Sequence, residues 1–314
     1  MVDAFLGELG KKLADHWFTL LVLPGALYLA VAAAADALGQ AHALDPARLA
    51  RRVTAWSKAP DATAVGGQII VLAAVLAGAG MAGLSAQAAG RAFERIALAA
   101  DWTDWPRPLR VVADRFVARR RERWNAANAD YQRLREQARR ARARGERLEP
   151  MERDRAYRAL IRVSEGRPER PTWSGDRIHA VGRRLHDDLG LDTVRIWPAL
   201  WLILPDAVRS EITAARTDLA AAATLTGWAV LYVPIAVWWW PAALIAVVLA
   251  TAGRRRIRIT TNTYALLIES AARLHTSALA DQLRLPADGP ATVGTGQAIT
   301  SQLSAHASDP LSGT

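Results

Sequence analysis

A chain of 314 residues, 51% hydrophobic and 22% charged, is long enough for one or two domains, but it alternates long apolar runs with arginine-rich ones. Its formal charge of +10 rests almost wholly on Arg, since Lys occurs only at 11, 12 and 58; such a cation load suits anionic lipid headgroups or nucleic acid, and a cytoplasmic-side bias in a membrane protein gives the same balance. The absence of cysteine excludes disulfide staples, thiolate nucleophiles and cysteine metal sites.

In chain order, Val2, Phe5, Leu6, Leu9 and Leu13 recur at helical spacing against Asp3, Glu8, Lys11 and Lys12, which predicts an interfacial amphipathic helix over 1–16. Trp17 to Ala35 carries no charge and opens on an interfacial Trp17, a first transmembrane helix over 17–35. A signal peptide is the alternative, because Lys11 and Lys12 precede the run and Ala33, Ala34 and Ala35 resemble a cleavage site. A polar external loop follows over 36–63, with a short helical pattern in Leu49, Val53 and Trp56. Its Arg48, Arg51, Arg52 and Lys58 run against this topology. The second span, 64–89, is rich in small residues, and Ala74, Gly78, Ala82, Ala86 and Gly90 fall on one four-residue row. Such a ridge lets another helix approach closely, either within the chain or in a homo-oligomer.

Residues 90–216 read as a helical cytoplasmic lobe. The helix from Arg91 is expected to continue until Pro106 and Pro108 break it. Val117, Trp124, Tyr131 and Ala138 then recur every seven residues, with Ala113, Ala127 and Leu134 on the adjoining row, so a helix with a narrow apolar seam is expected. Val117, Trp124, Tyr131 and Leu134 are the candidate partner-binding seam. Gly145 and Pro150 punctuate a turn, and Met151, Tyr157, Leu160 and Ile161 restart the stripe, giving an antiparallel helical hairpin. Glu136 with Arg140, Glu149 with Arg153 and Asp154 with Arg158 stand four apart, each pair contributing about 0.3 kcal/mol.

Two arginine clusters, Arg119, Arg120, Arg121 and Arg123, then Arg139, Arg140, Arg142, Arg144 and Arg147, are candidates for anionic lipid or for nucleic-acid phosphates. Acids are interleaved and no base-reading motif accompanies them, so a solvated face beside anionic lipid is the preferred reading and nucleic acid is not an expected partner. Ser174 can cap a helix carrying Ile178, Val181, Leu185 and Leu189 that Gly190 ends, and Asp192 starts a short turn. His179, Arg183 and His186 share a face. Seven residues separate the imidazoles by ~10 Å along the axis, too far for one ion, so neither metal nor cofactor is expected.

Leu219 to Ala252 is 34 residues without a charge, ~51 Å of helix against roughly 30 Å of hydrocarbon. Pro234 removes a backbone donor, and Trp238, Trp239 and Trp240 suit the headgroup level. Two short spans, 217–234 and 235–252, folded as a hairpin are expected; one kinked, tilted helix is the alternative. Residues 91–216 hold 28 basic and 19 acidic residues, and Arg254, Arg255, Arg256 and Arg258 follow the run. Both flanks are therefore expected on the cytoplasmic side, which requires an even number of crossings. A cytoplasmic amphipathic helix over 253–285 is expected to pack on the helical hairpin, and 286–314, without aromatic residues, reads as a disordered tail.

The segments Pro171-Thr172-Trp173-Ser174-Gly175-Asp176, Leu189-Gly190-Leu191-Asp192, Trp197-Pro198-Ala199-Leu200 and Leu204-Pro205 resemble a pattern of uncharacterised bacterial membrane proteins, many of them actinobacterial. Asp176 stands where that pattern has Asn, and Leu189 where an aromatic residue is frequent. The resemblance implies a polytopic membrane protein with a cytoplasmic insertion and brings no activity with it.

No phosphate loop, nucleophile elbow or metalloprotease helix is present, and the spans lack the ionisable groups that ion-coupled carriers need. The expected fold is an all-α membrane protein with four transmembrane helices as two hairpins, the lobe inserted between them, in a bacterial inner membrane with both termini cytoplasmic. The expected role is a non-enzymatic scaffold or regulatory module with anionic lipid and a protein partner. An oligomeric, channel-like effector gated through the lobe is the alternative.

Overall fold

The computed structural model describes residues 22–58, 65–98, 102–146, 150–285 and 291–307. The interfacial helix over 1–16 and Trp17 lie outside them. The described chain is helical, and no strand occurs among these residues. The helices are α1 (Leu23–Leu38), α2 (Pro46–Ser57), α3 (Val65–Leu98), α4 (Arg107–Ala143), α5 (Pro150–Val163), α6 (Trp173–Leu189), α7 (Thr193–Ile203), α8 (Asp206–Ala236), α9 (Pro241–Gln282) and α10 (Val293–Ala307), with a 3-10 turn at Trp102–Asp104. Two compact units divide the chain, Met1–Glu94 with Ala220–Arg256, and Arg95–Leu219 with Ile257–Thr314.

The first unit is built with small residues inside and large aliphatic ones outside. A Cβ on Gly25 would meet the Ala79 carbonyl oxygen at 2.0 Å, and one on Gly227 the Ala86 carbonyl oxygen at the same distance, so α1 against α3 and α3 against α8 are backbone-to-backbone contacts of the kind that need glycine. Tyr28 fills the space between helices, its ring edge-on to Tyr232 at 5.3 Å and its hydroxyl donating to the Leu231 carbonyl at 3.2 Å. Ile69, Ile70, Val71, Leu72, Val230, Val233, Leu244, Val247 and Val248 are all exposed. Among the described residues, two helices are long and apolar enough to cross a membrane, Gly66–Leu98 and Asp206–Ala236. The sequence reading counts four; α1 is described over 16 residues, and α9 has thirteen uncharged residues before Arg254.

Helix α8 runs through Pro234 and ends at Ala236, so the break falls in the Trp triplet rather than at the proline. Its missing N–H lies one turn from the C-terminus, where only a single ladder bond is forfeited. The turn is fastened from outside: Gln40 donates through Nε2 to the Val237 carbonyl (2.8 Å) and accepts the Trp240 N–H through Oε1 (3.2 Å), while Trp239 Nε1 donates to the Ala43 carbonyl at 3.1 Å.

The second unit has its core in α6, α7, α9 and α10, where Leu185, Leu191, Ile196, Leu200, Ala272, Leu279 and Ile299 are buried together. Helix α3 ends at Leu98, and Pro108 stands in the first turn of α4, starting that helix instead of breaking its predecessor; proline lacks only a donor that the first turn leaves unpaired anyway. Thr172, not Ser174, caps α6, accepting the Gly175 N–H at 3.0 Å, and Ser174 is buried against the Thr261 hydroxyl. Gly190 ends α6 at φ 66°, and Asp192 caps α7. Val293–Ala307, read from sequence as disordered tail, is a helix whose Ile299 is fully buried. A Cβ on its Gly296 would sit 1.8 Å from the Leu189 carbonyl oxygen. Small residues give α10 its close approach, which a reading keyed to aromatic and branched residues overlooks.

Candidate functional site

The hairpin of α4 and α5 follows directly from the seven-residue repeat. Ala113 and Val117 are buried, Trp124, Tyr131 and Leu134 are half-buried, and Trp124 Nε1 donates to the Ser164 carbonyl at 3.2 Å. Of the seam expected for a partner, Trp124 meets the segment after α5 and Tyr131 meets Tyr157 of α5 within the chain. Tyr131 of α4 and Tyr157 of α5 meet with ring centroids 5.4 Å apart. They floor a cleft of about 430 Å³ whose walls carry Arg135, Arg139, Arg142 and Arg153, with Asp154 the one acid. Arg139 reaches Glu136 at 3.6 Å and Arg153 reaches Asp154 at 3.7 Å; exposed pairs this loose stabilise little and leave both guanidinium groups available to a stronger anion.

The arginine clusters split by helical phase. Arg139 and Arg142 line the cleft, whereas Arg140 pairs with Glu136 at 3.1 Å. Arg119 is exposed, but the neighbouring Arg120 and Arg121 turn inward. Arg120 donates to the carbonyls of Arg170 (2.7 Å) and Val163 (2.9 Å) and stands 2.6 Å from Asp176 Oδ2, and Arg121 donates to the Pro168 carbonyl. Burial pushes the Arg120 guanidinium below its ordinary value, with the Asp176 charge opposing the shift. Asp176 is itself buried, and its other oxygen accepts the N–H groups of Glu169 and Arg170. These two arginines hold the linker.

Behind the hairpin a charge network joins α6 to α9. Arg184 pairs with Glu165 (2.9 Å) and Glu269 (2.7 Å), and Arg273 with Glu269 (3.1 Å) and Asp188 (2.6 Å). Hydrogen bonds from Arg184 and then Arg273 hold the Glu269 carboxyl below the usual carboxylate range against the effect of burial. Arg177 donates to Asn262 at 2.8 Å, with Glu165 3.3 Å away; burial lowers its pKa. His179 lies between Glu169 (3.0 Å) and Arg170 (3.3 Å), and burial, then the Arg170 charge, depresses its pKa. No group of three His, Asp or Glu arranged for a metal ion occurs among the described residues.

In the first unit Ala82, Ala86 and Gly90 are buried inside the chain, a Gly90 Cβ meeting Thr224 backbone, whereas Gly78 faces the Leu29 side chain and Ala74 is exposed. Trp238 and Trp240 are exposed and Trp239 is half-buried; Arg254, Arg255 and Arg256 lie on the outside of an unbroken α9. From α9, Arg258 reaches the hairpin, donating to the Arg162 carbonyl at 2.8 Å while stacking on Trp173; Ala265, Ala271, Ala272 and Leu279 of the same helix pack in the core with α6 and α7. No family model, curated protein or solved structure matches the chain.

Proposed function

We propose that the chain is a non-enzymatic, membrane-anchored scaffold or regulatory module whose lobe takes an acidic protein segment into the α4–α5 cleft. The cleft carries this reading: four arginines on two antiparallel helices surround two tyrosine rings in an open groove, which suits carboxylates presented along an extended or helical segment. Membrane anchorage is supported by the first unit, whose exposed Leu, Ile and Val side chains exceed what a water-soluble surface shows. On that basis α1 and the start of α9 join α3 and α8 as spans of the inner membrane, with the lobe and both termini cytoplasmic.

The test is a photo-crosslinking residue in place of Tyr157 in the full chain, in native membranes. A discrete protein adduct, lost in Arg139→Glu/Arg142→Glu at unchanged membrane level, is the expected result. Adducts to nucleic acid or lipid alone, or a protein adduct indifferent to the charge reversal, would remove the cleft as the docking site.

A further inference from the structure

Helix α5 covers only the later part of α4, and the linker after it covers the middle. The first turns of α4, 107–112, are exposed all round, Val111 included at 49%, and one stripe on them is continuously apolar. Leu109, Val112 and Phe116 are 55%, 47% and 52% exposed. Their spacing of three and four residues puts them on one stripe, while Ala113 and Val117, one step round the helix, are each 3% exposed and turned into the protein. Arg115, Arg119 and Arg123 flank or continue the stripe and are exposed. Asp114 lies on the opposite side, and Glu122 stands at the edge. Trp102 and Trp105, half-buried, occupy the short segment between α3 and this stripe.

We propose that these turns of α4 lie on the bilayer surface, with Leu109, Val112 and Phe116 among the acyl chains and Arg115, Arg119 and Arg123 against anionic headgroups. An apolar stripe bordered by cations is what an interfacial helix presents, and indoles beside it fit the headgroup belt. A second copy is a poor occupant, because pairing two such stripes sets arginines against arginines. The inference rests on the reading of α3 as a membrane span, since it places the surface within reach of residue 109. It goes beyond the cleft, since it assigns lipid contact to different arginines: 115, 119 and 123, with 120 excluded by its carbonyl and carboxylate partners.

With no native cysteine, single nitroxide labels report cleanly. The full chain carrying Ile70→Cys, Asp114→Cys or Phe116→Cys is placed in nanodiscs of phosphatidylcholine, with or without phosphatidylglycerol, and collision with oxygen and with a water-soluble nickel complex is compared. The Phe116 label is expected to be oxygen-dominated with phosphatidylglycerol and the Asp114 label nickel-dominated. Each arginine near an anionic surface is worth about fivefold in partition, so Arg115→Gln/Arg119→Gln/Arg123→Gln weakens immersion by roughly a hundredfold. The same loss is expected in phosphatidylcholine alone. A Phe116 label as nickel-accessible as the Asp114 label, immersion indifferent to both lipid charge and the triple substitution, or short distances between Phe116 labels on two copies would each overturn the proposal. A lipid-immersed Ile70 label beside an aqueous Phe116 label would leave the span standing and remove only the stripe; an aqueous Ile70 label would remove both.

Discussion

Asp176 joins three pieces of chain at one carboxylate: the linker N–H groups at Glu169 and Arg170, the Arg120 side chain from α4, and its own helix. Removing it leaves a buried guanidinium without its counter-charge, so Asp176→Ala is expected to destabilise the chain by roughly 3–5 kcal/mol. Asp176→Asn keeps an acceptor for both N–H groups and is expected to cost less; chemical unfolding of the two variants in detergent ranks them. His179 and Glu269 fix the direction of the pH response. Each has a folded pKa below its ordinary value, 6.5 and 4.5, so the native state binds fewer protons than the unfolded chain and stability falls as pH drops. The loss begins near 6.5 for His179 and near 4.5 for Glu269, each continuing through its own folded pKa. Unfolding midpoints measured against pH should lose the upper step in His179→Gln and the lower in Glu269→Gln. Little of this was legible beforehand. Arg119, Arg120 and Arg121 are alike as letters, and only the 100° turn per residue sends two of them inward to carbonyls that no motif marks. By type Ser174 is the better cap of the two, so residue type alone points away from Thr172.

The best-read elements are those whose burial uses large side chains. The repeat Val117, Trp124, Tyr131 and Ala138 gave both the α4 face and its α5 partner, because an uncharged seventh-residue row on a charged helix has few other uses. Helix α10 was missed for the opposite reason. It docks through one glycine and two branched residues, Gly296, Ile299 and Leu303, and its composition resembles that of a tail. Ile299 is completely buried against α6 and α7, so Ile299→Ala is expected to cost about 2–5 kcal/mol. Gly296→Val, with no room for a first carbon, should release α10 outright. Hydrogen exchange of residues 293–307 distinguishes the two: slowed exchange persists in the first variant and vanishes in the second.

For the whole molecule, the inverted construction of the first unit matters more than the hydropathy of any helix. Alanine and glycine make its closest interior contacts beside a few aromatic rings, and many of its leucine, isoleucine and valine side chains face outward, an arrangement suited to a solvent as apolar as the side chains themselves. The sequence row from Ala74 to Gly90 names no partner; Gly227 meets it at Ala86 and Gly90, from a segment far away in the chain. A topology with four crossings predicts that a cysteine replacing Ser57 reacts with an impermeant maleimide added outside intact cells. One replacing Glu146 should react only after permeabilisation, and the reverse pattern would invert the assignment. The Gln40 bracket around Val237 and Trp240 has a consequence in time. The bonded partners are 197 and 200 residues apart, so the α1–α2 loop leaves the ribosome long before the turn it fastens. Until residues 237–240 have been made, the Gln40 amide and the Ala43 carbonyl lack these partners. The last hairpin to be synthesised is therefore the one that closes the first unit, and a chain stopped short of the Trp triplet cannot complete it.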